Sequence, residues 1–319
     1  MTKKNNETQT SKKDMILNMT PEERAGIAKK AIAARVEIMN RPENVKIAKR
    51  AAAKIAHGQR ITVEEFECLT GVMFSHKLSD KMKDILAIST NCLLNDRCIK
   101  RILSGKGICS KCFAANLSVC YESAFNNTAY NASILYNQVL PLEHLPIIDA
   151  DELRIEWGGD TGSWMAAANY MNLARVNPLV SVTAWTKNPD HYLEAIRRGY
   201  TKPDNFTLIL SSFELNEPQT VGTKYAPIID KRFTVYTLEW LDNMNLDGSY
   251  INCGARSCKN CQRCYKNANK TGFDVRELLK KDAKKAEKRG GSWDKYAEES
   301  PANDYTLSAD AENIFMMYR

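Results

Sequence analysis

Four cysteines fall within twelve residues late in the chain: Cys253, Cys258, Cys261 and Cys264, a C-x4-C-x2-C-x2-C run. Thiolates are soft ligands that suit zinc or iron–sulfur clusters. Zinc ribbons usually present two C-x2-C pairs separated by a dozen or more residues, so that the chain can close a tetrahedron. A tight C-x2-C-x2-C run is nearer to ferredoxin spacing, in which one short segment wraps a cube. Lys259 and Arg263 stand inside the run, where their charge offsets that of a cluster. The spacing predicts a [4Fe-4S] cluster, with Zn as the alternative.

A second group, Cys92, Cys98, Cys109 and Cys112, follows a short apolar segment at Ile85–Ile88. These thiols are expected to hold a second cluster or to complete a site shared with the first. Cys68 and Cys120 lie outside both groups and read as small buried hydrophobes. Ten cysteines without a signal-peptide segment at the start of the sequence point to a reducing compartment, where clustered thiols serve metals more often than disulfides. The expectation is a cytoplasmic protein.

A third candidate lies at Leu153–Asp160, where an apolar segment runs into Gly158, Gly159 and Asp160. Glycines let the backbone approach a ligand closely. The plain alternative is a β-to-α turn with Asp160 or Thr161 capping the next helix. Thr186 and Lys187 end the next apolar segment, and Ser211, Ser212 and Glu214 end the one after. Polar groups at three successive strand ends read as a pocket.

The elements that must position these residues are legible as a rhythm. Strands are predicted near Ile85–Ile88, Leu153–Trp157, Leu179–Trp185, Phe206–Leu210 and Phe233–Leu238. Helices near 113–139, 163–175 and 189–198 alternate with them. This alternation implies βαβ units in an α/β fold: a parallel sheet resembling a partial (β/α) barrel, with its chemistry at the carboxyl ends of the strands. Before the sheet, residues 1–75 read as a basic helical extension, with helices near 21–40, 43–57 and 62–73. Thr20-Pro21-Glu22-Glu23 forms a capping box with Pro at the first helical position. Residues 76–265 form the cysteine-bracketed core. Residues 266–319 read as a charged tail, with helices at Lys280–Arg289 and Ser308–Tyr318.

Residues 1–60 carry 14 Lys/Arg against 6 Asp/Glu, a surplus of +8, while the whole chain carries +7. The basic character therefore belongs to the N-terminal arm. That arm suggests nucleic-acid contact through phosphates, or simply a solvated helix face. No apolar run of about 18 residues is present, so no membrane-spanning helix is expected. The four histidines lie apart without a triad context, and no Walker-type phosphate loop occurs.

The stretch from Lys77-Leu78 to Ile88-Ser89, together with Cys92, Cys98, Cys109-Ser-Lys-Cys112, Gly159-Asp160, Trp185-Thr186-Lys187 and the closing Cys253 to Tyr265, resembles the phage "gene product 88" family. That family occurs in phages and mobile elements, has no assigned activity, and implies a bacterial host cell. The layout is also similar to radical SAM enzymes, which place a cysteine loop after the first strand and a Gly-Gly-Glu turn after the second. By that likeness Cys98, Cys109 and Cys112 would hold a cluster with one open iron site. Gly158, Gly159 and Asp160 would then seat the methionine end of S-adenosylmethionine. The sequence departs from the pattern in having ten residues between Cys98 and Cys109, and Asp160 in place of Glu. The function expected is an iron–sulfur protein with radical SAM-like redox chemistry on an unknown substrate. The alternative is a nucleic-acid-binding protein whose metal sites are structural.

Overall fold

The computed structural model describes residues 12–288 apart from 77, 79 and 254–256. The polar start of the chain and the helix expected at Ser308–Tyr318 lie outside the described residues.

The chain opens with α1 (Lys12–Leu17), α2 (Pro21–Met39), α3 (Pro42–Ala56) and α4 (Val63–Thr70). The capping box forms as expected: the Thr20 hydroxyl accepts from Glu23 N at 3.2 Å and the Glu23 carboxylate accepts from Thr20 N at 2.7 Å. Thr62 and Glu65 repeat it at α4. Glu65 does more than cap. Its carboxylate is only 1% exposed and takes Arg50 and Lys54 from α3, which locks the two helices together.

Of these N-terminal helices, α3 and α4 pack on the main core, while α1 and α2 bury Ile16, Leu17 and Ala31 in a second cluster. Ala51, Ile61, Phe66 and Val72 pack in one cluster with the sheet and with α8 (Trp164–Arg175). The Arg35 guanidinium in α2 donates to Gly71 O and Glu67 O at the end of α4.

The sheet has seven strands in sequence order: β1 (Phe74–Ser75), β2 (Leu86–Ile88), β3 (Glu152–Ile155), β4 (Ser181–Thr186), β5 (Phe206–Ser211), β6 (Lys231–Tyr236) and β7 (Asp274–Leu278). β1 runs antiparallel to β2, and β2 to β7 are all parallel. Parallel strands laid down in order with helical crossovers are the arrangement of an unclosed (β/α) barrel. Leu153, Ile155, Val182, Ala184, Phe206, Leu208 and Leu210 face the helices and form the core. Arg154, Thr183, Trp185, Ile209 and Lys231 alternate with them and face the opposite side.

Between β2 and β3 run α5 (Asp96–Leu103), α6 (Phe113–Cys120) and α7 (Glu122–Leu135). The helix expected over 113–139 is therefore two helices. They part at Tyr121, which is extended (φ −125°, ψ 103°) after Cys120, a poor helix former. α9 (Asp190–Arg197) and α10 (Leu238–Asn243) follow β4 and β6. Two strands are shifted from expectation. Leu179 is 95% exposed in the turn before β4, and Leu238 opens α10 behind its cap Thr237.

The segment after residue 265 is more than a tail. The short helix α11 (Cys258–Cys261) precedes it, and the segment itself holds α12 (Ala268–Thr271), β7 and α13 (Lys280–Lys288). β7 pairs with β6 and buries Val275, Arg276 and Leu278. Its sequence, Asp-Val-Arg-Glu-Leu, carries too many charges in five residues to signal a buried strand. Among the described residues no helix is long and apolar enough to cross a membrane.

Gly71 ends α4 at φ +77°, and an added Cβ would lie 2.4 Å from Met39 Sδ and 2.5 Å from the Tyr130 ring. Gly71→Ala is therefore expected to cost at least about 2 kcal/mol, lowering the thermal midpoint by roughly 4–8 °C in a calorimetric or circular-dichroism melt.

Candidate metal centres

All ten cysteines are free. The first group gathers beyond the carboxyl end of β2. Cys92 opens a 3-10 turn, Cys98 lies in the first turn of α5, Cys109 sits in a 3-10 turn at Ile108–Lys111, and Cys112 stands directly before α6. Cys92 is 1% exposed, packed with Leu93, Ile99 and Ala115 under Ile16 and Leu17 of α1. Its thiol faces Cys112, and donation from Cys92 pulls Cys112 below the usual thiol range while Cys92 is pushed up. The amides of Ala114 and Ala115 at the start of α6 also stabilise a Cys112 thiolate. Burial pushes Cys98 and Cys109 up, with Lys187 opposing this at Cys109.

The loop bearing Cys109 is clamped to the end of β5. Ile108 N donates to Phe213 O at 2.8 Å, and the Arg101 guanidinium lies 3.5 Å from the centre of the Phe213 ring. Gly107, at φ +62°, lies against Phe213 O and the Glu214 carboxylate, leaving no room for a Cβ.

Asn95 ties this loop to the glycine turn. Its side chain accepts from the amides of Arg97 and Cys98 and donates to Asp160 O at 3.0 Å. Asp160 does not cap α8, a role taken by Ser163. Its carboxylate accepts from Thr161 N at 2.9 Å, the Thr186 hydroxyl at 2.7 Å and Lys187 N at 3.0 Å. Burial still pushes its pKa up. The Lys187 ammonium donates to the Ser211 hydroxyl at 2.7 Å. Gly159 is required because a Cβ would lie 2.7 Å from both Thr90 O and Glu156 Oε2, whereas a Cβ on Gly158 would meet only Ser89 Oγ at 3.8 Å and Ala114 Cβ at 4.0 Å, ordinary contacts. The expected residues thus converge at three strand ends, yet they bond chiefly to one another.

Their common anchor is a residue that sequence reading passes over. Glu156 sits just past β3 in the left-handed region, at φ +55°. Its carboxylate accepts from Ser89 Oγ (3.1 Å), Thr90 N (3.0 Å), Thr90 Oγ1 (2.8 Å) and Tyr170 Oη (2.7 Å). Burial pushes its pKa up against these donors. The available signal is an acid inside an apolar strand, just before a double glycine.

The C-terminal group lies elsewhere, across the open face of the sheet. Cys253 bridges to Glu277, extending the sheet beyond β7. α11 carries Cys258 and Cys261 and packs against the 3-10 turn Asp80–Met82 that leads to β2. The Cys264 carbonyl accepts from Thr183 Oγ1 in the middle of β4, and the Gln262 side chain donates to Glu152 at the start of β3. Lys81 pairs with Glu277, so the loop spans the gap between β7 and the approach to β2. The cysteines of the first group lie at the carboxyl edge of the sheet. The C-terminal group lies on the sheet face, because its loop crosses beneath β3 and β4 on the way from β6 to β7. The thiols that act on Cys98 and Cys109 belong to the first group and those that act on Cys253, Cys258 and Cys264 to the second, so the two groups lie apart.

Charge marks the C-terminal site. Lys231 is fully buried, donating to Thr271 Oγ1 at 2.7 Å and Gly272 O at 3.0 Å. Burial lowers its pKa to about 8, with Cys264 the strongest opposing influence. Arg154 lies 3.8 Å over the Trp185 ring with its Nε enclosed and unpartnered. Among the described residues neither cation pairs with a carboxylate. Burial also pushes the Cys253, Cys258 and Cys264 thiols up, Cys264 to about 12. A metal deprotonates its thiol ligands, and four thiolates around Zn2+ or a cubane core leave a net negative centre that these cations would balance. Among the described residues no three His, Cys, Asp or Glu side chains gather closely enough for one metal ion. A tetrahedral zinc site needs tight convergence at about 2.3 Å from one ion, whereas a four-iron cube places each thiolate on its own iron.

Three further features lie outside the two cysteine groups. Cys120 is exposed at the end of α6, and Cys68 is half-buried with its thiol toward Asn44 Oδ1 at 3.6 Å. Of the fourteen cations in residues 1–60, Arg24, Arg35, Arg50, Lys54 and Arg60 bond within the protein. A cavity of about 640 Å3 opens at the amino ends of β4–β6, near Asn205, Asp230 and Lys266, away from the strand ends that carry the first cysteine group. No family model, curated protein or solved structure matches the chain.

Glu156→Ala would leave four donors bare and is expected to cost about 3 kcal/mol or more in denaturant unfolding, whereas Glu156→Gln, which lets hydroxyls reorient, costs about 1 kcal/mol. A raised carboxyl pKa adds stability that is complete below the unfolded value and is lost as pH rises through the folded value. Glu156→Gln should accordingly flatten the fall in stability above the ordinary glutamate range.

Proposed function

We propose that this chain is an iron–sulfur protein with two separate thiolate centres. One, held by Cys253, Cys258, Cys261 and Cys264, lies on the open sheet face. The other, held from Cys92, Cys98, Cys109 and Cys112, lies at the carboxyl edge. The observation that carries this reading is two cations beside the C-terminal thiols, the fully buried Lys231 and the half-buried Arg154, neither with a carboxylate partner among the described residues. A buried cation without a counter-charge is costly, and a net negative centre supplies one.

The carboxyl-edge group is the candidate reactive centre, since catalytic groups of such folds gather where strands end. Radical chemistry on S-adenosylmethionine is the activity to test there. The residues expected to seat that cofactor do not fit it as they stand. Asp160, Thr186 and Lys187 are bonded to one another or to Ser211, and Gly159 is filled against Thr90 and Glu156. A nucleic-acid role draws less support, because five of the basic residues on the N-terminal helices and the loop after them are committed to internal bonds.

Anaerobically purified protein is expected to be brown, with about eight irons per chain, falling to about four in Cys258→Ser/Cys261→Ser. Colourless protein containing only zinc would remove the proposal. Incubation of reduced, fully loaded protein with S-adenosylmethionine separates the two roles: cleavage assigns radical chemistry to the carboxyl edge, and intact cofactor leaves an electron-transfer protein.

A further inference from the structure

Two enclosed hydrogen-bond donors beside the C-terminal thiols have no acceptor among the described residues: Arg154 Nε and Tyr265 Oη. Each such donor costs about 1–3 kcal/mol when left bare, so two in one place imply an acceptor that belongs there. Both are held rigidly. The Tyr265 ring meets Trp185 edge-on, with centroids 6.1 Å apart at 69°, and Trp185 carries the Arg154 guanidinium at 3.8 Å. Cys258 and Cys264 lie near Tyr265, and Arg154 is a neighbour of both thiols. A third unpartnered donor, Arg276 Nε, belongs to a different group, its guanidinium 4.6 Å from the Tyr250 ring centre. Arg154 stands on β3, Trp185 on β4, and Tyr265 directly after Cys264, whose carbonyl is tied to β4. The sheet therefore fixes their positions.

We propose that Tyr265 Oη–H and Arg154 Nε–H donate to the sulfurs of the C-terminal cluster and hold its reduction potential up. The proposal rests on the iron–sulfur reading of that site. Donors to cluster sulfurs stabilise the more negative, reduced state, and hydrogen bonding is one of the levers that set cluster potentials. The step they govern is a one-electron reduction of the cluster by an external reductant, with no bond made or broken. Tyr265 and Arg154 are positioning residues here, and the C-terminal centre is an electron carrier as well as a link between β7 and the approach to β2.

The test is a spectroelectrochemical titration of the full-length, anaerobically prepared protein, following the wave that Cys258→Ser removes. Tyr265→Phe keeps the ring on Trp185 and removes only the hydroxyl. Arg154→Lys keeps the charge and removes Nε. Each variant is expected to keep its iron and to lower the reduced-to-oxidised ratio at fixed potential by about tenfold, which is about 59 mV for a one-electron couple. The reduced wild-type cluster should also show an exchangeable-proton hyperfine coupling that disappears in Tyr265→Phe. A wild-type cluster without that coupling overturns the proposal whatever the variants do, and so does a Tyr265→Phe potential equal to wild type. Brown protein with either result removes the proposal alone, whereas colourless zinc protein removes the iron–sulfur reading with it.

Discussion

The Glu156 carboxylate is enclosed at the carboxyl edge of the sheet and accepts four hydrogen bonds from Ser89, Thr90 and Tyr170. A buried carboxylate must be satisfied or neutralised, and the local backbone bends to do it. Glu156 takes a left-handed conformation, and Gly159 folds back until no Cβ fits between it and Thr90. The end of β2, the turn after β3 and α8 are thereby fixed to one another. Asp160, directly after Gly159, extends the same bonding to the end of β4. The cysteine loop hangs on this frame through Asn95.

Charge balance governs the opposite face of the sheet. Lys231 and Arg154 occupy strand positions where an apolar residue would pack without cost, and no carboxylate among the described residues pairs with them. An anionic group bound by the thiols of the C-terminal loop would account for both. The loop itself spans the open side of the barrel. It is anchored at one end by Cys253 on β7 and along its length by Thr183 and Glu152. Ligand binding there would join the last strand to the segment that leads to β2, coupling the metal to the fold.

In the N-terminal helices part of the charge counted along the chain is engaged inside the fold. A surplus of +8 in sixty residues suggests a surface for phosphates. Arg24, Arg35, Arg50, Lys54 and Arg60 instead hold elements of the protein together, and α1 covers the buried Cys92. Charge counts do not reveal partners, since a buried acid such as Glu65 can draw two cations inward from a neighbouring helix.

The sequence by itself determined the α/β rhythm, the capping box at Thr20, the helix start at Thr62, the helical crossovers and the two cysteine groups. Each of these is written in local spacing: a period of two or 3.6, a cap three residues before its acid, thiols two residues apart. Only the tertiary structure decided that the two groups lie apart, that β7 belongs to the sheet, and that Glu156, Lys231, Arg154 and Tyr265 stand beside the sites. Those facts depend on pairings between residues far apart in sequence. A charged residue within a strand looks the same in the sequence whether it meets water, a carboxylate or a metal-bound sulfur.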